Sequence, residues 1–174
     1  MVKITLFGLA GTGTSSVGKE LSSRFNLEFN SSGNMFRELA QKNNMSLAEF
    51  GAYCEKNPDV DKELDASITQ YGIKNDNFVF DSRLAWYTIP QSFKVKLECD
   101  ENVRVQRIIE REGGDSQKVK EEMNVREQGN RKRYQEYYNI ENYSDDIHFD
   151  IIIDTTHLTI SQVCTIIALR GGLK

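Results

Sequence analysis

With 174 residues, 28% charged and 39% hydrophobic, the chain has apolar material for one domain burying about two thirds of its unfolded surface, which excludes a disordered segment. No apolar run approaches the roughly 20 residues that span a bilayer, and the short apolar start, interrupted by Lys3, lacks a secretory pattern. The formal charge of −4 argues against a general nucleic-acid binder, and Cys54, Cys99 and Cys164 are too scattered for disulfides or a metal site, so packed free thiols and a cytoplasmic protein are expected.

The apolar run Val2 to Phe7 predicts a first strand, and Val17, Leu21 and Phe25 at four-residue spacing predict a helix over 15–25. Between them lies Gly-Leu-Ala-Gly-Thr-Gly-Thr-Ser-Ser, residues 8–16. A strand that delivers a glycine-rich loop to a helix N-terminus surrounds an anion with backbone N–H groups, and the helix dipole favours its charge. Gly8, Gly11 and Gly13 permit that close approach. The pattern G-x-x-x-x-G-K-[ST] fits Gly8 to Ser15 except that Thr14 stands in the lysine position. Ser15 is expected on Mg²⁺, Ser16 beside the α-phosphate, and Lys19 in solvent. An ordinary glycine turn is the alternative, opposed by the strand and helix on either side.

Glu28 to Asn30 adds a possible strand, and helices follow over 34–42, 47–56 and 59–74, the second opened by the capping box Ser46 to Glu49. Asn77 to Asp81 predicts an apolar strand that ends in a carboxylate, with Ser82 and Arg83 next. Asp81 is either a strand-end turn residue or an acid that orients the water shell of Mg²⁺. Strands at Phe93 to Leu97 and Phe149 to Asp154 alternate with helices over 101–112, 116–137 and 160–170, the last opened by the box Thr159 to Gln162. Continuous apolar strands alternating with helices imply a mostly parallel sheet covered on both faces. Ligands bind at the carboxyl ends of such strands, where the glycine loop and Asp81 both fall.

Arg37, Arg83, Arg107, Arg111, Arg126, Arg131 and Arg133 are the residue type that grips phosphoryl oxygens in a bidentate way. Arg104, Arg107 and Arg111 share a helix face, and Arg126 and Arg133 lie about two turns apart. Acids such as Glu110 and Glu112 leave a solvated salt-bridge face as the competing reading. The charge-dense stretch from Arg111 to Tyr138, with Gly113, Gly114 and Gly129 as flexible points, reads as a lid that Tyr134, Tyr137, Tyr138 and Tyr143 pack onto the core. His148 and His157 lack metal-ligand neighbours and are expected to be structural or exposed.

In order and spacing these segments resemble the nucleoside monophosphate kinases, most closely cytidylate kinases of the short, archaeal type. The resemblance rests on residues 8–16, on Ser31 to Arg37 as "S-x-G-x-x-x-R", and on Met45 to Gly51 and Asp61 to Asp65. It continues through Asp81 to Trp86, through Arg126-Glu127, Arg133-Tyr134 and Tyr138-Asn139-Ile140, and through Asp154 to Thr156 and Leu158 to Ile160. Thr14, Ser82 and Asn139 depart from it, the last two standing where glycine is more usual.

The resemblance implies an α/β, three-layer P-loop NTPase fold: one domain over 1–174 with a parallel five-stranded sheet, an acceptor-binding helical insertion at about 31–75 and a lid at about 112–138. It implies that Gly8, Ala10, Gly11, Thr12, Gly13, Thr14, Ser15 and Ser16 hold ATP, with Mg²⁺ at Ser15 and Asp81. Arg107 would lie against the donor adenine, Arg111 near its phosphates, and Thr155 and Thr156 beside the base. Ser32, Gly33, Arg37, Asp61, Asp65 and Arg83 would bind the acceptor, and Arg83, Arg126, Arg133 and Asp81 would be catalytic. The implied activity is phosphoryl transfer from ATP to CMP or dCMP in pyrimidine nucleotide metabolism, by a cytoplasmic monomer that engages neither nucleic acid nor membrane. Two alternatives stay open: an adenylate- or shikimate-type kinase, and a nucleotide-binding protein that lost turnover with the lysine. No Asn-Lys-x-Asp segment supports a GTPase.

Overall fold

The computed structural model describes residues 1–173, the side chains of Leu47, Ala48, Ala52 and Glu55 excepted. Its sheet contains β1 (Lys3–Gly8), β2 (Glu28–Ser31), β3 (Phe78–Asp81), β4 (Phe93–Glu98) and β5 (Ile151–Asp154), all parallel, in the order β2-β3-β1-β4-β5. Parallel pairing brings the five carboxyl ends to one edge. The chain leaves β1 for β2 on one side and later crosses from β3 to β4 on the other, so the ends of β1 and β3 bound the switch point where such sheets hold ligands. Leu6 pairs with Asp81 and with Val95, which fixes Asp81 beside the exit of β1.

Alternation along buried strands separates two apolar layers. Ile4, Leu6, Val79, Val95, Leu97 and Ile153 pack against α1 (Thr14–Phe25) and α8 (Ile160–Gly171) through Val17, Leu21, Val163 and Ile167. On the other face Phe78 and Phe80 meet Ile68 of α4 (Pro58–Lys74) and Ala85 of α5 (Ala85–Thr88). Phe7 meets Tyr134 of α7 (Ser116–Tyr138) and Tyr143. Two smaller clusters hold α2 (Ser32–Lys42) to α3 (Leu47–Lys56) and α6 (Glu101–Glu112) to α7.

The capping boxes at Ser46 and Thr159 are present, and Pro58 opens α4, where its missing N–H leaves nothing unsatisfied. Helix α7 ends on Asn139 at φ 55, a left-handed cap that asparagine tolerates and that accounts for its standing where the family prefers glycine. Three local expectations shift. Helix α2 starts at Ser32, because the Ser31 hydroxyl caps it by accepting from the Asn34 N–H. The four-residue α5 has no readable periodicity. Strand β5 starts at Ile151 and not at Phe149, whose ring instead packs on Phe7.

The His148 ring stacks on Trp86 at 3.8 Å and 6°, and His157 is exposed. Cys54 and Cys164 are buried free thiols and Cys99 is half-buried. Among the described residues no helix is long and apolar enough to cross a membrane.

Candidate active site

The loop after β1 turns on Thr12, whose N–H and hydroxyl both bond the Leu9 carbonyl, at 3.2 and 2.9 Å. Gly11 adopts φ 85 where a Cβ would lie 2.6 Å from the Arg104 carbonyl, so only glycine lets the loop rest on α6. Gly13, at φ 97, is the N-cap of α1 and supplies no side-chain cap. The first N–H groups of that helix therefore stay available to an anion.

These groups face a cavity of about 790 Å³ at the carboxyl edge of the sheet. Of the residues singled out in the sequence, Gly8, Ala10 to Ser16, Ser32, Gly33, Arg37, Asp81, Arg83, Arg107, Arg111, Arg126 and Thr155 all line it. The Ser15 hydroxyl donates to Asp81 Oδ2 at 2.7 Å. Burial pushes the Asp81 carboxyl above its ordinary value, while the Ser15 and Thr14 hydroxyls and then Arg83 and Arg126 pull it partly back. Asp81 thus lines the cavity with its carboxyl bonded to the first turn of α1.

Arg126 faces the same pocket from α7, its pKa lowered by burial and then by the like charge of Arg83. Arg83 Nε is buried without a hydrogen-bond partner. Two crowded guanidiniums with a spare donor form a receptor for an anion, since an unmet buried donor is costly and a charge-assisted bidentate bond relieves it. Arg37 is aimed by its Nη2 bond to Asn34 Oδ1 at 2.6 Å.

Arg107 is tied down. It donates from Nη1 to the Gly11 carbonyl (3.4 Å), Cys99 Sγ (3.4 Å) and Thr155 Oγ1 (3.2 Å), and from Nη2 to the Thr155 carbonyl at 2.9 Å. Arg111 donates from Nε and Nη2 to Glu112 Oε1 at 2.9 and 2.6 Å.

Four of the residues expected to bind ligand or act in catalysis, Asp61, Asp65, Arg133 and Thr156, do not line the cavity. Arg133 Nη1 lies 3.4 Å from both Asp61 oxygens, and the Tyr138 hydroxyl donates to Asp65 Oδ2 at 2.6 Å. They form a seam between α7 and α4. Burial raises the Asp65 pKa, against the Tyr138 bond and the Arg133 charge. Thr156 braces the turn after β5, donating to Asp154 Oδ1 and accepting from the Asp100 N–H. Arg131 is exposed.

Ser31 and Leu158 to Ile160, which the resemblance set in the acceptor-binding segment and beside the donor base without singling them out as site residues, also line the cavity, and sequence reasoning missed Val163. The capping box at Thr159 was the available signal, since it fixes a helix start just beyond a strand's carboxyl end. It also missed that Arg104 is buried, with only 7% of its surface exposed.

A divalent cation such as Mg²⁺ fits the donors present. Ser15 and Asp81 offer adjacent hard oxygens, and Mg²⁺ commonly binds one or two protein oxygens plus phosphates and water. Among the described residues no group of three or more His, Cys, Asp or Glu could hold a metal.

The family model of the cytidylate kinase-like family matches residues 3–157. A cytidylate kinase of Methanosphaera stadtmanae is 37% identical over 164 residues, covering 94% of this chain and 94% of that protein. One of Archaeoglobus fulgidus is 35% identical over 174 residues, covering 99% and 96%. Among solved structures, shikimate kinase from Bacteroides thetaiotaomicron superposes with a TM-score of 0.64 at 14% identity, covering 97% of each chain. A protein from Eubacterium ventriosum does so at 0.75 and 17%, covering 100% of each. These two likenesses speak to the fold, the α/β P-loop architecture. With a strand, glycine loop and helix facing an arginine-lined cavity, and with relatives above 30% identity over nearly its whole length, the chain belongs to the cytidylate kinase-like family and is a nucleoside monophosphate kinase.

Proposed function

We propose that the protein transfers the γ-phosphoryl group of ATP to CMP or dCMP, giving CDP or dCDP. The observation that carries this reading is the convergence, in one cavity, of the Gly8 to Ser16 loop, the Ser15 and Asp81 pair and the guanidiniums of Arg37, Arg83 and Arg126. The names of the relatives support the choice of acceptor.

The donor phosphates lie on the loop N–H groups and the α1 N-terminus, and the donor base lies against Arg107, Leu158 and Ile160, with Arg111 near the phosphates. Ser32, Gly33, Arg37 and Arg83 hold the acceptor phosphate. Ser15 and Asp81 would hold Mg²⁺, which when bound would supply charge neutralisation at the donor phosphates. No covalent intermediate is needed: the loop and the arginines align the acceptor oxygen with the γ-phosphorus, and cations offset the charge that develops. Arg126 supplies the charge that Thr14 does not. The helical region at about 31–75 receives the acceptor and the segment at about 112–138 closes over it, with Asp61 and Asp65 exchanging Arg133 and Tyr138 for the acceptor. The enzyme works as a cytoplasmic monomer on these small molecules.

Coupled measurement of ADP release with CMP, dCMP, UMP, AMP and shikimate tests this. Fastest turnover with a cytidine monophosphate is expected, because selectivity rests on hydrogen bonds to one base edge. Preference for AMP or shikimate, or silence with all five, rejects it.

A further inference from the structure

We infer that Arg104 and Glu127 are a positioning pair that latches α7 onto the phosphate loop and thereby aims Arg126. The inference rests on the kinase reading of the cavity. Arg104 belongs to α6 and touches both bodies that the reaction must hold in register. Its Nη1 donates to the Ala10 carbonyl at 3.3 Å and to Glu127 Oε1 at 3.0 Å, while its own backbone lies directly beneath Gly11. Glu127 is the next residue after Arg126, the α7 arginine that lines the cavity.

The remaining ties between α6 and α7 cannot set this register as tightly. Val105 and Ile108 meet Val119 and Met123 through apolar contact, which is non-directional and permits sliding. Among the described residues the other polar ties both run from Lys120, which donates to Asn102 Oδ1 at 3.1 Å and pairs with Glu101 at 3.5 Å, the Lys120 and Glu101 side chains being 33% and 57% exposed. The Arg104 and Glu127 side chains are only 9% and 24% exposed, so solvent and salt screen this pair least. A directional, charge-assisted bond to the neighbour of Arg126 fixes where that residue's backbone sits relative to Ala10 and Gly11. Arg104 and Glu127 themselves need not touch either substrate.

The test compares Glu127→Gln with Lys120→Met in the full chain. Glu127→Gln is expected to lower kcat by about 10- to 100-fold, the scale of a misaligned reacting group, while donor affinity by calorimetry is unchanged. Hydrogen exchange of the α7 amides should speed up in the same variant, because the helix opens locally. Lys120→Met should alter neither. Arg104→Met should lose donor affinity as well as kcat, since the Ala10 carbonyl loses its partner. Wild-type kcat in Glu127→Gln, unaltered α7 exchange, or an equal loss in Lys120→Met would overturn the latch. A wild type silent with every monophosphate would instead overturn the kinase reading, and the exchange comparison would still judge the latch.

Discussion

At Thr14 the general motif and this chain part company, and under the proposed function Arg126 supplies the missing cation. Arg126 lines the cavity within reach of the fields of Asp81 and Arg83, whereas Arg133 is held at Asp61 on the α4 side. Two arginines that looked equivalent in sequence therefore occupy different surroundings. Replacing Arg126 with alanine should lower kcat by about 10³-fold or more, as loss of an arginine finger does, with donor binding largely kept. Thr14→Lys should change the rate little. Steady-state ADP release on the two variants checks both, and a full-speed Arg126→Ala removes the residue from the mechanism. What separates Arg126 from Arg133 is a tertiary contact, the Asp61 carboxylate on another helix, and residues this far apart give no local signal of it.

Elements with strong local chemistry were legible. The two capping boxes, the proline at α4 and the strands flanking the glycine loop all emerge where short-range rules place them, because each satisfies its own backbone groups. The short α5, the start of β5 and the burial of Arg104 were not. Phe149 looks like strand but finds a better partner in the Phe7 ring, and Arg104 looks like the solvated face it shares with Arg107 and Arg111 until the loop at Gly11 settles on it. The end of α7 gives a prediction at this scale. Asn139 sits at φ 55, so Asn139→Ala should cost about 1 kcal/mol, the left-handed penalty for an ordinary residue. Chemical denaturation with an unchanged m-value checks it, and equal stability would mean that the cap contributes nothing.

Taken as a whole, the molecule places a carboxyl whose charge burial disfavours, that of Asp65, at the seam between α4 and α7. The Asp65 pKa is raised in the folded state, so the fold holds that proton more tightly than the unfolded chain does. Its ionised form is then a destabilising load at neutral pH, which disappears as pH falls through the raised folded value toward the ordinary 3.8. Asp65→Asn should therefore melt higher than wild type at pH 7, with the difference shrinking as the pH falls from the raised folded value toward 3.8, and should lose acceptor affinity. Thermal melts across that range and acceptor titrations test the two halves separately; an Asp65→Asn that melts lower at pH 7 removes the load. The aromatic stack beyond that seam has a practical consequence. Trp86 is the chain's single tryptophan; it lies flat on His148, bonds the Tyr143 carbonyl at 3.2 Å, and Tyr143 in turn leans on Tyr134 of α7. Any swing of α7 must disturb that column of rings, so the protein carries its own fluorophore, and the closure proposed for α7 can be tested in a cuvette by ultraviolet emission without attaching a label.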